Sequence, residues 1–145
     1  MVIGQFSSKT VFLDTAPLIY FIEGHSTFQP VLSRLFDLND KGGFLFITSS
    51  VTLLEVLVKP LREGLTGLAQ QYRDVLTAAV GIEIFNVTSF IAERAAQLRA
   101  KYYLKTPDAI QLATAIEVGA DYFLTNDVGL KRVIETTVVT VAELQ

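Results

Sequence analysis

Short apolar runs alternate with longer amphipathic segments along the whole chain. Between the runs, apolar side chains recur every three or four residues, as do Val31, Leu32, Leu35 and Phe36 in the segment 28–40. Short continuous runs bounded by turn residues predict buried strands, and the longer periodic segments predict helices. The predicted strands cover residues 10–13, 44–47, 82–87, 122–125 and 138–141.

Residues that favour helix ends fall between these runs. Predicted helices follow Asp14, occupy residues 28–40, 51–62 and 65–80, follow Thr88 and Ser89, and follow Thr106. Thr106 is expected to be an N-cap with Pro107 in the first helical position, and Gly119 is expected to end that helix. Pro60 is expected to bend or end the helix 51–62. Residues 1–9 are expected to form a partly ordered lead-in.

This alternation of strands and helices predicts one fold class. Strands that are apolar throughout require cover on both faces, which helices provide in α/β proteins. We therefore expect a three-layer α/β/α fold with a central, mostly parallel sheet of four to five short strands. No repeat, low-complexity segment or linker interrupts residues 1–145, so a single domain is expected.

Four acidic residues occupy related places in this pattern. Asp14 and Asp127 follow predicted strands, whereas Glu55 and Asp108 lie in the opening turns of predicted helices. Ligands of parallel α/β sheets gather beyond the carboxyl ends of the strands, so these side chains are expected to share one rim. Glu55 stands in an apolar run with no evident partner, and an unpaired buried carboxylate is unfavourable.

The residue types at this rim favour a hard cation. Four carboxylates brought together without cations would repel one another by several kcal/mol or stay partly protonated. Oxygen ligands suit Mg²⁺ or Mn²⁺, and the absence of cysteine together with the single histidine, His25, excludes a thiolate or histidine-rich site. Carboxylate-held metals suit hydrolytic phosphoryl transfer. Thr15 and Thr125 are supporting candidates that could orient the acids, and Asn126 is a candidate for phosphate contact.

Each acid also has a purely structural interpretation. Asp14 could cap the helix that follows it, Asp108 could compensate the helix dipole, and Asp127 could serve a turn. Glu55 has the weakest such alternative. The joint placement of all four residues is what favours the metal site.

Composition narrows the function further. The net charge is −3 and the pI is about 5.1, which argues against a strongly basic nucleic-acid binder but not against a nucleic-acid enzyme with bound cations. No apolar run could span a bilayer and no signal-peptide pattern is present, so a soluble, cytoplasmic protein is expected. Several basic residues near the acidic stretch could either face solvent or contact phosphates: Arg94, Arg99, Lys101, Lys105, Lys131 and Arg132.

The chain resembles the PIN-domain family and, within it, the VapC-type toxins of toxin–antitoxin pairs. The resemblance rests on VFLDTAPLIYFIEG, ITSSVTLLEVL, TPDAIQLATAIEVGAD and FLTND, which follow the family's order over nearly the whole chain. It implies a PIN fold and a metal-dependent endoribonuclease, with Asp14, Glu55, Asp108 and Asp127 as the catalytic and metal-holding acids. It further implies 3′-hydroxyl and 5′-phosphate products from RNA, a homodimer, and an antitoxin whose tail can occupy the groove.

Other functions remain open at this stage. A phosphoacceptor receiver domain would need paired acids after the first strand, where Asp14 stands alone, and a haloacid-type phosphatase would need an acid where Ala16 lies. A free-standing PIN nuclease in RNA processing and a non-catalytic PIN scaffold both share the fold. Retention of all four acids argues against the scaffold.

Overall fold

The computed structural model describes all of residues 1–145 and contains five strands and six α-helices. The strands are β1 (Thr10–Leu13), β2 (Leu45–Ser49), β3 (Ile82–Phe85), β4 (Tyr122–Thr125) and β5 (Val138–Thr140). The helices are α1 (Thr15–Glu23), α2 (Gln29–Asp40), α3 (Ser50–Arg62), α4 (Thr66–Ala78), α5 (Ser89–Tyr102) and α6 (Thr106–Val118). Three short 3₁₀ helices complete the chain: Ile3–Phe6, Val128–Arg132 and Val141–Glu143.

The strands form one sheet in the order β3-β2-β1-β4-β5, and every neighbouring pair is parallel. The chain builds outward from β1 to β3 and then returns to the other side of β1. The direction of winding therefore reverses between β1 and β4, which are neighbours. This architecture confirms the predicted α/β fold with a central parallel sheet, at the upper end of the expected strand number.

Two separate cores cover the two faces of the sheet. Alternate side chains of β1 point to opposite faces, so Val11 and Leu13 join one core and Phe12 joins the other. The first core also contains residues of α2, α3 and α4, and the second contains residues of α5 and α6. Helices thus pack on both sides, which is the three-layer arrangement expected from the apolar strands. None of these helices combines the length and apolar character needed to cross a membrane.

The prediction for the amino-terminal residues was wrong. Residues 1–9 are not the partly ordered lead-in that was expected, because Ile3–Phe6 is a 3₁₀ helix and the Phe6 side chain is fully buried in the first core. The Ile3 amide donates to the Gln145 carbonyl, and the Gln145 amide donates to the Met1 carbonyl. Two apolar residues spaced three apart are enough to dock this segment.

The start of α6 also differs from its prediction. Lys105, not Thr106, precedes the helix, and no side chain caps it. Thr106 is the first helical residue and Pro107 the second, where the missing proline N–H still leaves no helical hydrogen bond unmade. Gly119 ends the helix with a φ of 80°, as predicted. Pro60 lies inside α3, which ends two residues later at Arg62.

Candidate active site

Asp14 and Asp127 lie at the point where the winding of the sheet reverses. Asp14 follows β1 and Asp127 follows β4, and the Asp14 amide donates to the Leu124 carbonyl at 3.0 Å. In parallel α/β sheets the crevice outside the strands opens at this reversal, because the flanking loops diverge to opposite faces. The fold therefore places the two strand-end acids side by side at the crevice.

Both carboxylate oxygens of Asp14 accept hydrogen bonds from within the protein. One accepts from the Thr15 amide at 2.9 Å, and the other accepts from the Thr125 hydroxyl at 2.8 Å. The pKa of Asp14 is raised to about 6, mainly by burial and also by the charges of Asp108 and Glu55, while the two hydrogen bonds oppose the shift. The two hydrogen bonds thus fix the orientation of Asp14 in a buried position that disfavours its negative charge.

Glu55 lies in α3 amid apolar neighbours, as the sequence indicated. Its Oε1 accepts a hydrogen bond from the Thr15 hydroxyl at 2.7 Å. Thr15 is the first residue of α1, so a single residue contacts both Asp14 through its amide and Glu55 through its hydroxyl. The partner that the sequence did not reveal is therefore a hydroxyl group and not a basic side chain.

Asp108 and Asp127 face each other across the crevice. Asp108 is half-buried in the first turn of α6. Burial raises its pKa most, followed by the charges of Asp127 and Glu55, while Lys105 and Arg132 act in the opposite direction. Asp127 is more exposed, and its Oδ1 accepts from the Gly129 amide at 2.8 Å.

Asp108 thus lies within electrostatic reach of each of the other three acids, and Asp14 also lies within reach of Glu55. No three of them are arranged closely enough here to hold a metal ion. Hydrogen bonds within the protein occupy at least one oxygen of Asp14, Glu55 and Asp127. The donor set nevertheless fits a hard cation, because it consists of carboxylate oxygens and the pKa values of Asp14 and Asp108 are raised.

The three supporting candidates have identifiable contacts. Thr15 and Thr125 donate their hydroxyl protons to Glu55 and Asp14, as described above, and the Thr125 hydroxyl also accepts from the Asp127 amide at 3.1 Å. Asn126 is exposed and donates to the Tyr20 hydroxyl at 2.8 Å. The two threonines therefore orient acids, whereas Asn126 joins the strand end to α1.

A buried polar cluster below the acids escaped the sequence analysis. Gln111 accepts a hydrogen bond from the Ser49 hydroxyl and donates to the Thr52 hydroxyl at 2.6 Å. The Thr48 hydroxyl bonds to Thr52 at 2.9 Å and to the Leu13 carbonyl at 2.8 Å. These four polar side chains are almost completely buried. They join β1, β2, α3 and α6 at the base of the crevice.

The cluster lies next to two of the acids along the chain. Thr52 precedes Glu55 by three residues in α3, and Gln111 follows Asp108 by three residues in α6. Residues three apart lie on the same side of a helix, so the Gln111–Thr52 hydrogen bond joins α3 and α6 about one turn from Glu55 and Asp108. A polar residue three positions from an acid, in an otherwise apolar helix, is the sequence signal that could have indicated this cluster.

Comparison with known protein families identifies the fold. The PIN domain family model matches residues 11–135. The chain belongs to the PIN domain family. This PIN domain is similar in structure to VapBC2 of Rickettsia felis bound to a DNA fragment from their promoter. That match has a TM-score of 0.74 and 18% identity, and it covers 90% of this chain and 98% of the other.

Two further structures resemble this PIN domain. A toxin–antitoxin complex from Klebsiella pneumoniae matches with a TM-score of 0.68 and 28% identity over 91% of this chain and 97% of the other. The sarcin–ricin loop cleaving toxin VapC20 of Mycobacterium tuberculosis matches with a TM-score of 0.65 and 16% identity over 78% and 86%. No curated protein matched the sequence. Family membership and these neighbours together show that the chain has the PIN fold.

Proposed function

We propose that this PIN domain is a metal-dependent endoribonuclease and the toxin of a toxin–antitoxin pair. Asp14, Glu55, Asp108 and Asp127 are the catalytic acids in this proposal, and together they hold Mg²⁺ or Mn²⁺. The observation that carries it is the meeting of four carboxylates from four elements at the reversal of the sheet, with raised pKa values for Asp14 and Asp108. Such crowding is relieved by a divalent cation.

The protein's own contribution to the reaction is to orient the acids. A bound cation activates water and stabilises the charge that develops on the phosphate. Thr125 fixes Asp14, and Thr15 fixes Glu55 from the other side, so neither carboxylate needs to reorganise far as a cation binds.

The proposed reaction is hydrolysis of an RNA phosphodiester. An oxygen of water forms a new bond to phosphorus, the bond from phosphorus to the 3′ oxygen breaks, and that oxygen takes up a proton. The products are a 3′-hydroxyl and a 5′-phosphate end. The family resemblance supplies this direction of cleavage, and the similarity to a sarcin–ricin loop cleaving toxin supports RNA as the substrate.

The proposed partners are an antitoxin and a second copy of this chain. Similarity to toxin–antitoxin complexes supports the antitoxin. Support for a homodimer comes from an exposed apolar row along α3 and its exit, at a helical spacing of three to four residues: Leu54, Val58, Leu61 and Leu65. Exposed apolar rows of this kind mark protein contacts more often than free surface.

Substitution of Asp108 tests the proposed activity. Asp108→Asn keeps the shape of the side chain but removes a negative charge from the site, so Mn²⁺-dependent cleavage of RNA is expected to fall by two orders of magnitude or more (~10²-fold). Cleavage is measured by sequencing the ends of cut RNA, with and without excess chelator. The unfolding transition of the variant should remain cooperative.

Asp37→Asn provides the matched control, because Asp37 is an exposed acid of α2 that pairs only with Lys41. This variant should cut RNA at the rate of the unmodified protein. Full activity of Asp108→Asn, or full activity in excess chelator, would refute the metal-dependent mechanism. A free-standing nuclease of RNA processing would show the same chemistry but would not be inhibited by an adjacent antitoxin.

A further inference from the structure

Most basic residues near the acids are already engaged. Lys101 pairs with Glu135 at 3.2 Å, Lys131 pairs with Glu143 at 2.6 Å, and the Arg94 Nε lies 3.6 Å from Glu117. The Arg99 Nε donates to the Leu104 carbonyl at 2.8 Å. Of the six basic residues in this part of the sequence, only Lys105 and Arg132 line the cleft beside the acids, and neither pairs with an acidic side chain.

Lys105 and Arg132 line one small cleft together with two of the acids. The cleft has a volume of about 220 Å³, and its walls include Tyr103, Lys105, Asp108, Asp127 and Arg132. Neither basic side chain forms a salt bridge, and both line the cleft beside Asp108 and Asp127. Positive charge thus lies directly beside the proposed catalytic acids, on a protein that is acidic as a whole.

Arg132 is held in place by main-chain carbonyl groups. Its guanidinium donates to the Gly129 carbonyl at 2.7 Å and to the Tyr102 carbonyl at 2.9 Å. Carbonyl partners orient the group without neutralising its charge, and other guanidinium N–H groups remain available. A fixed guanidinium of this kind suits a phosphate, whose oxygens it can contact in pairs.

Tyr103 occupies the mouth of the same cleft in an unusual conformation. It ends α5 with φ 57° and ψ 39°, in the left-handed region, and its side chain is 91% exposed. Glycine normally takes this position because it has no side chain to clash, and Gly24 and Gly119 do so at the ends of α1 and α6. Neither burial nor backbone preference explains an aromatic residue here.

We propose that this cleft is the subsite for one unpaired nucleotide of the RNA, with its base stacked on Tyr103 and its phosphate held by Lys105 and Arg132. This inference rests on the proposed function and defines its substrate as single-stranded at the position beside the cut. An exposed aromatic ring can stack on any base, whereas the faces of bases inside a duplex are already covered by their neighbours. The positively charged side chains of Lys105 and Arg132 place the adjoining phosphate next to Asp108 and Asp127.

The test measures RNA binding separately from cleavage. All variants are made in Asp108→Asn protein with Mg²⁺, so that the RNA stays intact, and the probe is a fluorescein-labelled single-stranded oligoadenylate. Tyr103→Gly is expected to weaken binding roughly tenfold, because a base–aromatic contact is lost. Tyr103→Phe keeps the ring and should bind as the parent does. Fluorescence anisotropy over a series of salt concentrations gives both affinity and salt dependence.

Tyr103→Gly also carries its own control for folding. Glycine relieves the left-handed backbone, so the melting temperature of this variant should rise while its RNA affinity falls. A merely structural role for Tyr103 would move both quantities in the same direction.

Lys105 and Lys101 form a matched pair for the phosphate contact. Lys105→Ala should weaken binding and lower the salt dependence by about one phosphate contact. Lys101→Ala changes the net charge equally but removes a lysine already paired with Glu135, so it should leave the salt dependence unchanged.

Several outcomes would overturn the subsite. These are equal losses in Tyr103→Phe and Tyr103→Gly, equal effects of the two lysine variants, absence of binding by the parent, and equally tight binding of a blunt RNA duplex. Each can occur while unmodified protein still cuts RNA in a metal-dependent way. Failure of the subsite is therefore distinguishable from failure of the proposed function.

Discussion

Asp14 illustrates how a single residue can serve two roles at once. It caps α1 through the Thr15 amide, which is the structural interpretation open from sequence, and it also shares a crowded site with Asp108 and Glu55. A cap alone would favour the charged carboxylate and lower its pKa. The pKa is instead raised, because burial outweighs the hydrogen bonds. The direction of the pKa shift of Asp14 therefore distinguishes its place in the crowded site from its role as a helix cap.

The raised pKa predicts a pH dependence of stability for the metal-free protein. Asp14 titrates near 3.8 when unfolded and at about 6 when folded, so the folded state binds its proton more tightly. Its contribution to the free energy of unfolding is therefore full at low pH and is lost as the pH rises through 6, by at most about 3 kcal/mol. Asp14→Asn should remove this loss.

Urea unfolding of both proteins in chelator, between pH 4 and 8, measures the difference. The comparison cancels the contribution of Glu143, whose pKa is lowered to about 2 by Lys131 and therefore acts in the opposite direction. A stability difference between the two proteins that does not change with pH would show that Asp14 is not held at an unfavourable place.

Between elements, the decisive contact is the hydrogen-bonded cluster that joins α3 to α6. Gln111→Leu would leave the buried hydroxyl groups of Ser49 and Thr52 without their amide partner, which is expected to lower the free energy of unfolding by about 1–3 kcal/mol. It should also weaken Mn²⁺ binding, because the spacing of Glu55 and Asp108 is no longer fixed. Urea unfolding and calorimetric titration with Mn²⁺ give the two quantities.

Gln97→Leu serves as the comparison for that variant. Gln97 is an exposed residue of α5 with only a long contact to Arg94, so its substitution should leave both stability and Mn²⁺ binding nearly unchanged. If Gln111→Leu destabilised the protein but bound Mn²⁺ normally, the cluster would be structural and would not position the acids.

The elements themselves could be predicted because their apolar pattern is local. The strands β1 and β4 have the bounds expected from sequence, and each of the six helices lies where periodicity placed it. Gln111 could not be predicted as a buried residue, since its burial depends on Ser49 and Thr52 from a distant part of the chain. The wrong N-cap at Thr106 has a different cause, because Lys105 already has the extended backbone that precedes a helix.

At the scale of the molecule, the proposed metal site joins the two halves of the chain. Asp14 and Glu55 come from the first half, and Asp108 and Asp127 come from the second. A ligand that binds only the folded state stabilises it by about 2.7 kcal/mol at a concentration one hundred times its dissociation constant. Mn²⁺ is therefore expected to raise the melting temperature of the unmodified protein and of Asp37→Asn.

In the same experiment, the melting temperature of Asp108→Asn should change little when Mn²⁺ is added. Without metal, its melting temperature should be higher than that of the unmodified protein, because the repulsion between carboxylates is reduced. Differential scanning fluorimetry with a Mn²⁺ series and with chelator is sufficient. An equal rise in all three proteins would indicate binding elsewhere on the surface and would argue against the four acids as ligands.

The sequence alone predicted a rim of four acids, because parallel strands present their carboxyl ends at the same edge of a sheet. It did not predict the cleft beside these acids. The six basic residues look alike in sequence, and only their positions in the folded chain place Lys105 and Arg132, but not the other four, in the wall of this cleft. Tyr103 carries no sequence signal either, since its importance lies in a backbone conformation and an exposure that depend on how α5 meets α6.

The pairing of β1 with β4 has a consequence for the timing of synthesis. Thr125 holds Asp14 although the two residues are 111 positions apart in the chain, and Asp127 is delivered only when β4 takes its place beside β1. A chain still being translated, and extended only as far as Tyr122, carries Asp14, Glu55 and Asp108 but lacks Asp127 and cannot assemble the set. If the substrate is RNA, the growing chain therefore cannot cleave the ribosomal and messenger RNA that produce it until most of the chain has emerged. A truncated chain that ends before Tyr122 should show no metal-stimulated cleavage.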